Sequence, residues 1–194
     1  MSKFVDKRAV AKSPSSTPPS ARAGHSLLNT PRGLYLLGGY DETGPLSDIY
    51  CYNSIDARWT KLIAPRKSPL PRTDVDCCYC DGNIYLFGGV QLDNNDDVLI
   101  YNDLWVYNIV NMKWVCLYEE TPVPERNSYV CKCVLNDTSP YNQSLIIHGG
   151  ELMQKLHDDT WYDFFTRTLT RLSTHSLIHS FIGCIIFPRV IGLK

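Results

Sequence analysis

The sequence predicts an all-β chain of repeated four-stranded antiparallel units, of the kind that stack radially as the blades of a propeller. Three observations predict it. A Gly-Gly pair recurs at Gly38-Gly39, Gly88-Gly89 and Gly149-Gly150. Each pair ends a short apolar run: Leu34–Leu37, Ile84–Phe87 and Leu145–His148. After each pair comes a polar stretch and then a second run opened by an aspartate, at Asp48, Asp103 and Asp159. Self-similarity at a spacing of tens of residues marks a repeat architecture, and strand-length apolar runs rich in Tyr and Trp mark the repeat as β.

Each unit reads, in order, as four strands. A proline-rich connector ends in an arginine: Pro18-Pro19-Ser20-Ala21-Arg22, Pro69-Leu70-Pro71-Arg72 and Pro122-Val123-Pro124-Glu125-Arg126. The first strand follows that arginine. The second ends in Gly-Gly, where positive φ and close backbone approach are needed. The third is the Asp-led run, Asp48–Tyr52, Asp103–Tyr107 and Asp159–Asp163. The fourth carries Trp59 in the first copy and Trp114 in the second, with Thr170 at that place in the third. Asn and Asp in Tyr52–Asp56 and Tyr107–Asn111 supply the tight turn between the last two strands. Successive Gly pairs are 50 and 61 residues apart, and most of the difference lies in loops. The expected organisation is a disordered tail over 1–20, three repeats over 21–64, 71–118 and 125–172, and a degenerate start of a fourth over 173–194.

This pattern resembles the kelch repeat, in which an apolar strand ends in Gly-Gly and a Tyr is followed, after six residues, by a Trp. Tyr52 to Trp59 and Tyr107 to Trp114 match it, while Asp163 and Thr170 depart from it. The resemblance covers roughly residues 20–172 and implies kelch-type β-propeller blades: about three, plus a partial fourth, in an open or truncated propeller. His175-Ser176-Leu177-Ile178 repeats His25-Ser26-Leu27-Leu28, but Pro188-Arg189 stand where a Gly pair is due. Kelch-family propellers generally close with five to seven blades. The sequence therefore leaves three alternatives: a truncated or spliced product, a ring completed by another chain with self-association through the open blade edge, or a stable open arc.

Composition excludes several classes. A net charge of -1 gives no electrostatic case for a nucleic-acid or anionic-membrane partner. The apolar stretch Leu177–Leu193 contains Pro188 and Arg189 and is short for a membrane span. Residues Met1 to Ser20 contain no apolar run of signal-peptide length, so the chain is expected in the cytoplasm, or the nucleus, rather than secreted. On that expectation the sequons at Asn136 and Asn142 stay unmodified and the eight cysteines stay reduced. Ser13-Pro14 and Thr17-Pro18 fit a proline-directed kinase but read as unmodified linker, since such dipeptides occur often by chance in Pro/Ser-rich tails. Cys78 with Cys80, and Cys131 with Cys133, lie two apart on first strands and share a face. They are expected as small buried hydrophobes lining the channel, with no metal and no cofactor. The five histidines form no metal-ligand pair, and no catalytic triad or phosphate loop is present.

The resemblance implies a non-enzymatic scaffold or adaptor that binds other proteins through blade loops. The alternative is a fragment of a longer kelch protein whose missing part carries an enzymatic or ubiquitin-ligase adaptor function. Partners are expected on the face made by the loops Tyr40–Leu46, Val90–Asn102 and Glu151–Asp158 and by the connectors. Arg72, Arg126, Asp93, Asp96 and Asp97 are the expected contact residues, because they sit on loops of a rigid frame; the alternative is that these charges are solvated surface and the repeated arginines pair with nearby carboxylates or cap turns. The remaining repeated residues are a structural signature: Gly38, Gly39, Tyr52, Trp59, Gly88, Gly89, Tyr107, Trp114, Gly149 and Gly150.

Overall fold

The computed structural model describes residues 17–63, 65, 67–92, 97–135, 143–152, 155–163 and 170–172. The 1–16 part of the expected tail, Asp93, Asp96, Asn136 and the fourth-repeat segment 173–194 lie outside the described residues. Every regular element described is a strand. In chain order they are β1 (Ala23–Thr30), β2 (Gly33–Asp41), β3 (Gly44–Pro45), β4 (Ile49–Asn53), β5 (Arg58–Leu62), β6 (Cys77–Cys80), β7 (Asn83–Leu92), β8 (Val98–Asn108), β9 (Lys113–Tyr118), β10 (Val130–Leu135), β11 (Gln143–His148), β12 (Glu151–Leu152), β13 (Lys155–Leu156), β14 (Thr160–Asp163) and β15 (Thr170–Leu172).

Twelve of the strands form three separate antiparallel meanders, β1-β2-β4-β5, β6-β7-β8-β9 and β10-β11-β14-β15, while β3 pairs with β2 and β12 with β13 in the hairpins. Each is one blade, and the third forms despite having lost the repeat's Tyr and Trp. Its order of strands survives because the apolar runs of β11 and β14 survive: Leu145 and Ile147 are buried, and Ile147 pairs with Trp161.

Packing follows from the two-residue period of a strand, which sends successive side chains to opposite faces. In the second blade Cys77, Ile84, Leu86, Trp105 and Tyr107 join one apolar cluster with Tyr35, Leu37 and Ile49 of the first blade. Their immediate neighbours Cys78, Cys80, Tyr85, Phe87, Leu104 and Val106 join the other cluster, with Tyr129, Cys131, Leu145 and Ile147 of the third blade. The core is thus two seams between blades, and the middle blade is buried on both faces. Burying a side chain such as Phe87 or Ile147 stabilises a seam by roughly 1.5–3 kcal/mol.

Polar contacts stitch the same seams. Four residues after its arginine, the first blade places Ser26 and the second Asp76. The Cys77 N–H donates to Ser26 Oγ at 3.1 Å, and the Cys131 N–H donates to Asp76 Oδ2 at 2.8 Å. The third blade has Val130 at this position, half exposed and without an acceptor. The Gly pairs close the seams from above. The Gly39 N–H donates to the Arg72 carbonyl at 3.1 Å and the Gly89 N–H to the Arg126 carbonyl at 3.4 Å.

Two expectations are corrected. The stretch Val90–Asn102 is not a loop. β7 and β8 continue through it as a paired ribbon, with Val90 opposite Ile100, Gln91 opposite Leu99 and Leu92 opposite Val98. Val90 and Leu92 on one strand and the run Val98, Leu99 and Ile100 on the other make a ladder there. Nor are all the cysteines reduced: Cys80 and Cys133 are joined as a disulfide between β6 and β10. The face-sharing of Cys78 with Cys80 and of Cys131 with Cys133 brings these strands' sulfurs together at the seam. A bond across a sequence separation of 53 constrains the unfolded chain by about 4 kcal/mol on chain-entropy grounds.

Candidate functional site: the hairpin face of the blades

In a meander, alternate turns lie on alternate ends of the blade. The hairpins between second and third strands therefore share one face with the connectors and with the starts of the first strands. The connectors are anchored under that face by one repeated arrangement. Arg22, Arg72 and Arg126 each form a two-pronged ion pair with the aspartate that opens the third strand, the shorter bond being 2.6 Å to Asp48, Asp103 and Asp159. The same Nη1 donates to the carbonyl of the first glycine of the pair, at 3.1 Å to Gly38, 2.9 Å to Gly88 and 2.8 Å to Gly149. Nε turns back to the carbonyl two residues earlier, of Ser20, Leu70 and Pro124. Each guanidinium thus locks its connector to the second and third strands of its own blade.

The aspartates take a further donor. Trp105 and Trp161 give their indole N–H to Asp103 and Asp159 at 2.7 Å. The first blade has Tyr50 at the equivalent place, and there Lys61 reaches Asp48 at 3.2 Å. Burial would raise the Asp159 carboxyl. The Arg126 and Trp161 hydrogen bonds and the Arg126 charge outweigh it, holding Asp159 down at about 2 against an ordinary 3.8. Because the folded value lies below the unfolded one, the stabilisation is complete above about pH 4 and is lost as pH falls toward 2. The urea midpoint of the wild type is therefore expected to fall between pH 4 and pH 2. In Asp159→Asn the fall should be shallower over that window; an equal slope would remove Asp159 from this role.

The arrangement corrects the expectation for Arg72 and Arg126. They are 2% and 0% exposed, with their donors committed to Asp103, Asp159 and backbone carbonyls. They position the face and do not line it. The signal for this was present: Arg and Asp recur in all three copies, including the one that lost the Tyr and Trp. Tyr52 lies 5.1 Å from Trp59 and Tyr107 5.1 Å from Trp114, ring centre to ring centre.

What the face does present is apolar and acidic. Tyr40, Val98, Leu99 and Leu156 are exposed on the three hairpins, Leu156 at 79%. Asp97 stands at the foot of the β7–β8 tip and is exposed. Near the blade axis, where the first strands begin, Gly24, Asp74 and Ser128 occupy equivalent positions and all have positive φ, 62°, 52° and 55°. This kink opens a cavity of about 200 Å³ lined by Gly24, His25, Asp74, Val75, Asp76, Ser128 and Tyr129. Partial burial and the nearby Glu151 charge push the Asp74 carboxyl up. Among the described residues no group of three or more His, Cys, Asp or Glu is placed to hold a metal. No helix among them is long and apolar enough to cross a membrane.

Four-stranded blades packed face to face, with connectors locked beneath hairpins of variable length, define a propeller-type repeat protein. The chain belongs to the kelch-repeat family: the model of the KLHDC2/KLHL20/DRC7 Kelch-repeats domain matches residues 4–181. Kelch domains are generally interaction modules. Among curated proteins, the chain is 28% identical over 107 residues to Kelch domain-containing protein 3 of Homo sapiens, covering 50% of this chain and 28% of that protein. It is 30% identical over 94 residues to the leucine-zipper-like transcriptional regulator 1 homolog of Drosophila melanogaster, covering 47% of this chain and 9% of that protein. It is also similar to N-acetylneuraminate epimerase 2 of Escherichia coli O6:H1, 34% identical over 68 residues, which are 35% of this chain and 18% of the epimerase. The chain thus spans less than a third of the curated relatives it matches.

Proposed function

We propose that this chain is a protein-docking module without a reaction of its own, and that its partner sits on the hairpin face. The observation that carries this is the blade-2 ribbon. It rises above Gly89 as a paired ladder and exposes Val98 and Leu99, at 49% and 46%, beside Asp97. A rigid ribbon loses little conformational entropy on binding, so its exposed apolar residues contribute to affinity with little offset. The carboxylate of Asp97, and those of Asp93 and Asp96, which lie between β7 and β8 in the sequence, favour a partner surface that combines apolar and basic side chains. The buried Arg–Asp anchors support this reading, because a docking face works best when it is pre-formed.

A photo-crosslinking residue at Leu99 should trap partner protein, whereas one at Ile55, exposed on a turn at the opposite end of its blade, should not. Val98→Ser with Leu99→Ser should weaken binding about tenfold or more. Asp93→Asn, Asp96→Asn and Asp97→Asn together should weaken it chiefly at low salt. Equal trapping from Leu99 and Ile55 would overturn the choice of face.

A further inference from the structure

The seam between the second and third blades carries four cysteines in two rungs. Toward the middle of β6 and β10, Cys78 and Cys131 bring their sulfurs to 3.6 Å, and both are buried. Two residues further along both strands, Cys80 and Cys133 are joined. No ladder hydrogen bonds connect β6 to β10, which belong to different sheets. Besides this disulfide, the seam is held by apolar packing, by Asp76, at 2.8 Å to the Cys131 N–H and 3.4 Å to Lys132 Nζ, and by the Tyr129 hydroxyl, which donates to the Asp76 and Phe87 carbonyls.

The two rungs differ in access. Cys80 is as buried as Cys78, and the outer rung is reached through Cys133, which is only half-buried. Cys131 is 0% exposed, and its neighbour Cys78 and burial push its thiol well up. Burial shields both inner sulfurs, and the Cys131 thiol, held protonated, is a poor nucleophile, whereas the outer bond is within reach of solvent reagents at Cys133.

We propose that the outer rung is a reversible redox latch between the second and third blades, opened by a dithiol reductant of the thioredoxin class. A thiolate of the reductant attacks one sulfur of the Cys80–Cys133 bond to give a mixed disulfide. The second thiol of the reductant then displaces that cysteine. Two electrons and two protons pass to the latch, Cys80 and Cys133 become thiols, and the reductant leaves as its own disulfide. The inner rung stays as two thiols throughout and keeps the seam packed. Opening the latch loosens the third blade against the second from the end of the seam opposite the proposed docking face, where the Gly82 carbonyl accepts from the Ile109 N–H. The latch itself does not depend on that docking reading.

The test uses the full chain purified without reductant and treated with an alkylating agent before and after dithiothreitol. Peptide mass mapping should find Cys80 and Cys133 linked before reduction and alkylated after it, with Cys78 and Cys131 unlinked in both. Reduction should lower the thermal midpoint by roughly 5–15 °C, and amide exchange in β10 and β11 should quicken. Cys80→Ser with Cys133→Ser should abolish the redox dependence of both readouts, while Cys78→Ser with Cys131→Ser should retain it. Full alkylation of Cys80 and Cys133 before reduction, in the folded wild-type chain, would overturn the proposal whatever the variants do. So would a midpoint shift that persists in Cys80→Ser with Cys133→Ser.

Discussion

Arg126→Ala is expected to unfold the third blade. The side chain it removes is fully buried and satisfies Asp159, the Gly149 carbonyl and the Pro124 carbonyl together. Asp159 would remain as a buried carboxylate with Trp161 as its one remaining neutral donor. Removing one partner of a buried ion pair costs about 3–5 kcal/mol, because the other charge is left without compensation. Whole domains are stable by only about 5–15 kcal/mol, so a loss of that size confined to one blade exceeds what the blade retains. Limited proteolysis should then cut between β10 and β15 while sparing the first two blades. Arg126→Met combined with Asp159→Leu should recover most of the loss, since apolar replacement of both members leaves no orphan charge. If the double variant is as labile as Arg126→Ala, hydrogen bonds to the backbone rather than the ion pair hold the connector.

Gly89→Ala is expected to damage the middle blade almost as much, by a different route. Gly89 has φ of 96°, and an added Cβ would lie 2.5 Å from Val75 Cγ1 and 3.0 Å from the Thr73 carbonyl. Unfavourable φ and overpacking together cost roughly 2–5 kcal/mol. Gly82→Ala is the natural comparison. Its φ is 78°, but an added Cβ meets nothing within 4 Å, so only the backbone cost of about 1–2 kcal/mol applies. A urea titration of both variants separates the terms: equal losses would mean that the close approach at Gly89 relaxes freely.

The meander itself was legible because its signals are local. The strand-length apolar runs in β7 and β8, turn residues at Asn53 and Asn108, and Gly at the strand ends each act over a few residues. The role of Arg72 and Arg126 was not legible from residue type, since arginine is ordinarily a surface residue. Their burial depends on Asp103 and Asp159, 31 and 33 residues away, and on a glycine carbonyl that only the folded blade brings near. The ribbon beyond Gly89 was read as loop because its polar tip breaks the apolar pattern. The Cys80–Cys133 bond escaped because it joins different sheets, and strand period gives the facing of a side chain but not its opposite number in the next blade.

The bulge between Phe87 and Gly89 separates the part of β7 that feeds the two seams from the part that rises as the ribbon. Insertions beyond it therefore leave both cores untouched. Adding one residue to each strand lifts the tip by about 3.4 Å and keeps the pairing continuous. Adding one to a single strand would turn every residue beyond it to the other side of the ribbon. Such a scaffold is free to vary its reach in paired steps while its stability stays fixed, so new partners can be explored by lengthening one hairpin without redesigning a blade.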